Sequence, residues 1–139
     1  MKKLALLASL LIPTNSIAGE LHNFNEIKTA IVTGKTIHIA IDFSKCSASN
    51  KGIAQPMSIG VFTPNAIAIT DHIATSLTHF TLNNPSFPGK AVYEFVRYTI
   101  TDDNNVNLTD QVLDAVNYTP ISDKFSFNCK LETGAKIFD

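Results

Sequence analysis

Lys35-Thr36-Ile37-His38-Ile39-Ala40-Ile41-Asp42-Phe43 decides the fold class of this chain. Ile37, Ile39, Ile41 and Phe43 recur with a period of two, so they fall on one side of an extended strand and Thr36, His38, Ala40 and Asp42 fall on the other. That pattern belongs to a strand with one buried face.

Working back from it, Gly34 is placed to end a helix in the left-handed conformation. Asn23 is placed to cap that helix and Glu26, three residues on, to complete a capping box, with Phe24, Ile27 and Ile31 sharing one face. Working forward, Ser44 to Gln55 is polar, holds Cys46, Asn50 and Gly52, and reads as an exposed loop. Met57, Ile59 and Val61 alternate up to a Thr63-Pro64-Asn65 turn. Ala66–Thr70 and Ile73–Leu82 read as a strand pair joined at Asp71-His72. Asn83 to Gly89 is a loop by its content of breakers, and it leads into a strand over Ala91–Ile100. A tight turn at Asp102–Asn105 precedes a short return strand at Val106 and Leu108, and a less regular stretch runs to Pro120. Phe125, Phe127, Cys129 and Leu131 alternate as the last strand. Short turns between successive strands favour antiparallel pairing. The expected fold is α+β and mainly β: an amino-terminal helix packed on a twisted antiparallel sheet or partly closed barrel of six to eight strands.

The chain opens with Met1-Lys2-Lys3, an apolar run over Leu4–Ile12 relieved by Ser9, and then Pro13 to Gly19. Charge, apolar core, helix breaker and small residues at Ser16 and Ala18 are the order of a secretory signal peptide, with the cut between Ala18 and Gly19. The run covers about half the roughly 20 residues needed to cross a bilayer, and nothing later reads as a second span, so no stable membrane insertion is expected after cleavage. The division expected is a leader over 1–18 and one domain over 19–139, with no linker or repeat inside it. Losing Lys2 and Lys3 leaves nine basic against twelve acidic residues, a net charge of −3. That balance argues against nucleic acid as a partner.

The mature chain keeps two cysteines, Cys46 and Cys129. They can form one intramolecular pair, stay as free thiols or act as a redox couple. A redox couple usually reads Cys-x-x-Cys, and these two stand 83 positions apart. Cys129 shares its strand face with Phe125 and Phe127, and Cys46 lies just past the first strand. A disulfide would therefore tie the first strand to the last, in a compartment that oxidises thiols.

Several short segments together resemble the VirK family. These are the signal peptide, the helix ending at Gly34-Lys35, the strand running into Asp42-Phe43-Ser44-Lys45-Cys46, the central His79-Phe80-Thr81, and Phe127-Asn128-Cys129-Lys130-Leu131 with Gly134-Ala135. The Asp-x-Ser-Lys-Cys segment and the spaced final cysteine are the most telling. The resemblance implies an exported accessory factor of host-associated bacteria, and it brings no catalytic residues with it.

Read as chemistry, the residues give no complete constellation. His22, His38, His72 and His79 lack the close spacing of zinc ligands, so no metal is expected among them. Asp103, Asn105, Asn107 and Thr109, with Asp114 at the twelfth place, imitate a calcium loop, but Leu108 stands where that loop needs glycine and a hairpin turn explains the segment without an ion. Ser58 in Met57-Ser58-Ile59-Gly60 lacks the first glycine of a nucleophile elbow. Asp42 and Glu94 are the candidate acid pair across the sheet. The candidate binding surface is Lys45 and Lys51 on the first long loop, with Phe87 between two prolines on the second, because recognition often sits on loops of a rigid scaffold. Phe87 can equally plug the open end of the sheet.

The function expected from these residues is that of a periplasmic or secreted, non-enzymatic binding or accessory protein, with no catalytic residues and no cofactor, acting on a protein or envelope partner. The alternative is a small exported hydrolase using Asp42, Glu94 or a histidine. Cell fractionation with amino-terminal sequencing tests the compartment. Mature protein starting at Gly19 in the periplasmic fraction is the expected result, and full-length chain in the cytoplasm would overturn it.

Overall fold

The computed structural model describes residues 19–49 and 59–139. The leader over 1–18, Lys51, Met57 and Ser58 lie outside them. The amino-terminal helix is present as α1, Phe24–Val32. Asn23 caps it as expected, its Oδ1 accepting from the Glu26 N–H at 3.1 Å, whereas the Glu26 carboxylate reaches one residue past the cap to accept from the His22 N–H at 2.7 Å. The carboxy-terminal end closes as a Schellman motif, with the Gly34 N–H donating to Ile31 O and the Lys35 N–H to Ala30 O, both at 3.0 Å. Gly34 has φ +85°, a conformation that a side chain would strain. Ile27 and Ala30 are enclosed in the core, and the Phe24 N–H donates to Asn104 Oδ1 at 3.1 Å.

The strands are β1 (Glu20–Leu21), β2 (His38–Asp42), β3 (Ser47–Ala48), β4 (Ile59–Phe62), β5 (Ala66–Ile69), β6 (Ile73–Thr81), β7 (Val92–Ile100), β8 (Asn105–Asp114), β9 (Phe125–Lys130) and β10 (Ala135–Phe138). They form two sheets, ordered β1-β10-β2-β4 and β3-β9-β8-β7-β6-β5, with every pairing antiparallel. The β-rich class holds, but the ten strands exceed the six to eight expected, and among the described residues they form two open sheets in place of one sheet or a partly closed barrel. The chain changes sheet four times, between β2 and β3, β3 and β4, β4 and β5, and β9 and β10, and two of these passages show how. After β2 the backbone turns through a 3-10 segment, Phe43–Lys45, where Asp42 accepts from the Ser44 N–H and from Lys45 Nζ at 3.2 and 2.9 Å. The chain thereby leaves the first sheet and enters the second as β3. At Thr63–Asn65 it crosses again, because β4 pairs with β2 whereas β5 pairs with β6.

Two strand boundaries also differ. β8 runs on to Asp114, through a stretch whose apolar alternation is broken by Asp110. β10 follows what reads as the last strand, after a turn in which Glu132 takes φ +66°. Gly134 in that turn is required by its neighbours, since a Cβ there would stand 3.0 Å from both Cys46 Sγ and Lys45 O.

The isoleucine face of β2 is buried as expected, with Ile37, Ile39 and Ile41 at most 1% exposed. It packs with Ala135 and Ile137 of β10 in one core with Tyr98, Ile100, Val106, Leu108, Phe127 and Cys129 of the larger sheet. The rings of Phe62 and Tyr98, 5.6 Å apart, join the two layers, as do those of Phe43 and Phe127 at 5.0 Å. Cys46 and Cys129 are bonded, with Cα atoms 4.5 Å apart. Cys46 is buried, so the loop read as exposed turns inward there. The bond fastens the first crossing onto β9, which is not the last strand.

Linking positions separated by 83 residues removes denatured-state entropy. The chain-entropy model puts this at no more than about 4.5 kcal/mol. Oxidised protein is expected to show no free thiol and to unfold at higher denaturant than the reduced form. Two titratable thiols in freshly isolated native protein, or equal unfolding midpoints, would contradict this.

Candidate binding surface and inner-face polar cluster

The β6–β7–β8 registers place Ile73, Thr75, Leu77 and His79 on the face of the larger sheet that also carries Ile100, Tyr98, Val96, Glu94 and Val92, and Val106, Leu108, Asp110 and Val112. One half of that face belongs to the core shared with the smaller sheet. The other half carries polar groups. Glu94 accepts from Asn84 Nδ2 at 2.8 Å through one carboxylate oxygen, and His79 Nδ1 stands 3.1 Å from the other. Thr75 Oγ1, Tyr98 Oη and Asp110 Oδ1 are enclosed without a hydrogen-bond partner. Burial first, and then the neighbouring Glu94 charge, push the Asp110 carboxyl up to about 6. Burial, with a smaller contribution from Asp110, raises the Tyr98 hydroxyl far above its usual range.

The candidate acid pair is not brought together, because Asp42 sits in the smaller sheet and Glu94 in the larger. Asp42 is held by Ser44 and then Lys45, and these hydrogen bonds keep its carboxyl below the usual carboxylate range. The four histidines are dispersed. His22 meets Glu132 at 2.7 Å, His38 meets Thr63 at 2.8 Å, His72 meets Asp71 at 2.7 Å, and His79 meets Glu94. No group of three potential metal ligands from His, Cys, Asp and Glu is found among the described residues. Asp103 and Asp114 flank opposite ends of β8, roughly 30 Å apart at strand rise, so they cannot hold one ion. Asp103 instead accepts from Thr101 Oγ1 and the Asn105 N–H within its turn.

Of the candidate binding residues, Lys45 is engaged with Asp42. Phe87 is half-buried in the β6–β7 loop, where its N–H donates to Asn84 O and its carbonyl accepts from the Lys90 N–H. That loop leads to the feature the sequence reading missed. On the outer face of the larger sheet, Phe80 of β6 meets Tyr93 of β7 edge to face at 5.5 Å, and Tyr93 stacks on Tyr118 at 5.6 Å. Phe80, Tyr118, Leu82 and Val116 are 52, 64, 53 and 88% exposed. The turn carrying Val116 and Tyr118 is preformed: the Asp114 carboxylate accepts from the Val116 N–H at 3.0 Å and the Asp114 carbonyl from the Tyr118 N–H at 3.0 Å. Lys90, closing the Phe87 loop, binds the same Asp114 carboxylate at 2.9 Å. One ion pair thus joins both loops beside the aromatic ladder. Lys90 and a backbone N–H hold the Asp114 carboxyl below its ordinary value.

A family model described as VirK protein matches residues 20–118. A crystal structure of lpg1832, a VirK family protein from Legionella pneumophila, superposes with a TM-score of 0.79 at 30% identity, covering 86% of this chain and 98% of that one. The uncharacterized protein y4wH of Sinorhizobium fredii is 26% identical over 126 residues, which is 87% of this chain and 85% of its own. An uncharacterized protein in the pinF2 3' region of Rhizobium radiobacter is 23% identical over 116 residues, covering 82 and 78% of the two chains.

Asp110 binds its proton with a pKa of about 6 in the fold against 3.8 when unperturbed. The folded state therefore holds the extra proton between those values, and stability present below the lower pKa is lost as pH rises through the higher one. Asp110→Asn is expected to remove this acid-side slope and to raise stability at neutral pH by about 2–3 kcal/mol. Thermal melts of both proteins across that range check it, and a variant less stable than wild type at neutral pH would refute the assignment.

Proposed function

Because this chain belongs to the VirK family, we propose that it is an exported accessory protein, associated with virulence, that works by binding a protein or envelope partner. The observation that carries the binding reading is the exposed ladder Phe80–Tyr93–Tyr118, with Leu82, two residues after Phe80, and Val116, two residues before Tyr118, exposed as well. Contiguous exposed aromatics on a rigid sheet are the composition of a recognition surface, and large exposed apolar patches mark interaction sites. The Lys90–Asp114 pair fixes the two loops beside it, which lowers the ordering cost of binding. Export is supported by the leader sequence and by the Cys46–Cys129 bond, which suits an oxidising compartment. No helix among the described residues is long and apolar enough to cross a membrane.

A second reading, a small exported hydrolase, draws on the polar cluster at the end of the inner sheet face, where His79 is exposed and Glu94 and Asp110 are half-buried. His79, Glu94 and the perturbed Asp110 share one sheet face, and perturbed carboxyls gather at catalytic sites more often than elsewhere. The groups that would serve it are Glu94 and His79, not Asp42.

A photo-crosslinking side chain at position 116, installed in protein expressed with its own leader, separates the two. A discrete adduct with one envelope protein, lost in the Phe80→Ala, Tyr118→Ala double variant and retained in Glu94→Gln, is the outcome expected from binding. Absence of any adduct, together with substrate turnover abolished by Glu94→Gln, would replace this reading with the enzymatic one.

A further inference from the structure

Among the described residues the two sheets have four edges, and those edges are not alike. β1 and β3 are two residues long, which is one way an edge is blunted. β4 and β5 are twice that length and are joined to each other by Thr63–Asn65. Charged residues make up 17% of the chain, yet Ile59 to Thr70 contains none. Edges exposed to solvent are normally guarded by lysine, inward charge, bulges or proline within the strand. β5 has none of the charges or prolines: it reads Ala66-Ile67-Ala68-Ile69, with both alanines exposed and Ile67 38% exposed.

The register says which backbone groups are free. β5 pairs with β6 so that Ala68 faces Ala74, and the Thr70 N–H donates to His72 O at 2.9 Å in the same register. In an antiparallel ladder the hydrogen-bonded positions alternate. Ala66, Ala68 and Thr70 therefore spend their N–H and C=O groups on β6, while those of Ile67 and Ile69 point out from the open edge. Unpaired, alternating donors and acceptors of this kind are matched by another extended chain.

We infer that β5 is a self-pairing edge, and that its occupant is a second copy of this chain, placed antiparallel across a two-fold axis. The pairing has a defined register. The Asn65 N–H is already donated to Ser76 O at 3.0 Å, which excludes the alignment that would need it outward. The alignment that pairs both outward-facing residues within β5 sets Ile67 opposite Ile69 of the second copy, and Ile69 opposite its Ile67, each as a doubly hydrogen-bonded pair. Ala68 then stands opposite Ala68 of the second copy as a non-hydrogen-bonded pair. The aliphatic side chains of Ile67 and Ile69 meet their counterparts on one face, and the small alanines meet on the other, so nothing bulky or charged opposes the approach. A two-fold contact is closed, giving a dimer in which two six-stranded sheets become one continuous sheet. The aromatic ladder is left free, since it lies on the outer face of β6 and β7 and their β8 side.

Sedimentation equilibrium and oxidative crosslinking of the mature, disulfide-intact protein test the inference. At about 100 μM wild type is expected to sediment at twice the monomer mass. Ala68→Cys is expected to form a 68–68 disulfide in air, because Cα atoms of a non-hydrogen-bonded pair lie about 4.5 Å apart, within disulfide reach. Ile67→Lys should return the mass to the monomer with an unchanged circular dichroism spectrum, whereas Val61→Lys, on the other open edge, should leave the dimer intact. A monomer at that concentration, a dimer that gives no 68–68 bond, or a dimer broken by Val61→Lys but not by Ile67→Lys would each overturn the inference. None of these results bears on whether the aromatic ladder binds a partner.

Discussion

The bond between Cys46 and Cys129 stands where the chain passes from one layer to the other, and the two-layer arrangement depends on that crossing. β2 supplies the isoleucine face of the smaller sheet, and only a few residues later the same chain pairs with β9 of the larger one. So abrupt a change of sheet requires the 3-10 turn at Phe43–Lys45, capped by Asp42, and a neighbour with no side chain. Gly134 provides the latter, and its carbonyl also accepts the Asp42 N–H at 2.8 Å. The sulfur bridge, the glycine and the capping carboxylate therefore form one joint. Phe43, packed edge-on to Phe127, places apolar mass against it.

What periodicity can and cannot carry explains how much of this fold was legible in the sequence. Alternation at Ile37, Ile39 and Ile41 identified the strand and its buried face correctly, and the Asn23, Glu26 and Gly34 signals delimited the helix, because both follow from contacts between residues near in sequence. The hairpin of β5 and β6 was legible for the same reason. Which sheet a strand joins is a different matter. β2 and β3 are separated by a few residues yet belong to different layers, and no local pattern distinguishes a turn within a sheet from a turn between sheets. β10 escaped notice because its two buried residues, Ala135 and Ile137, alternate over too short a stretch to show a period. The end of β8 escaped notice because Asp110 occupies an inward position where the pattern demands an apolar residue.

The site was legible in its parts and not in its assembly. Glu94, His79 and Phe87 were each singled out from the sequence, but Glu94 was set against Asp42 when its neighbour across the ladder is His79. Cross-strand partners come from register, and register is fixed by turns and by the core. The Phe80–Tyr93–Tyr118 ladder shows the same dependence. Its three rings come from β6, β7 and the turn beyond β8, and only the sheet makes them neighbours. A signal for Phe80 existed all the same, since it alternates with His79 and so had to lie on the opposite face.

Unequal strand lengths connect the polar cluster on the inner face with the outer surface. β6, β7 and β8 have nine or ten residues, about 30 Å of strand, whereas β2 and β10 have five and four. The smaller sheet therefore covers only part of the larger one, and the inward positions beyond it cannot all be aliphatic without a second layer to receive them. Glu94 and Asp110, both half-buried, and the exposed His79 lie in that part, as does Val92, which is fully buried but outside the shared core. The β6–β7 loop contributes Asn84 to the same region, and its last residue, Lys90, reaches Asp114. The segment following β8 answers from the other side, with Ser122 Oγ accepting the Val112 N–H at 2.9 Å. Connections thus cover this end only in part, and His79 stays exposed. The same connections carry the exposed Leu82, Val116 and Tyr118, so the overhang of the larger sheet accounts both for the polar groups on its inner face and for the aromatic surface on its outer one.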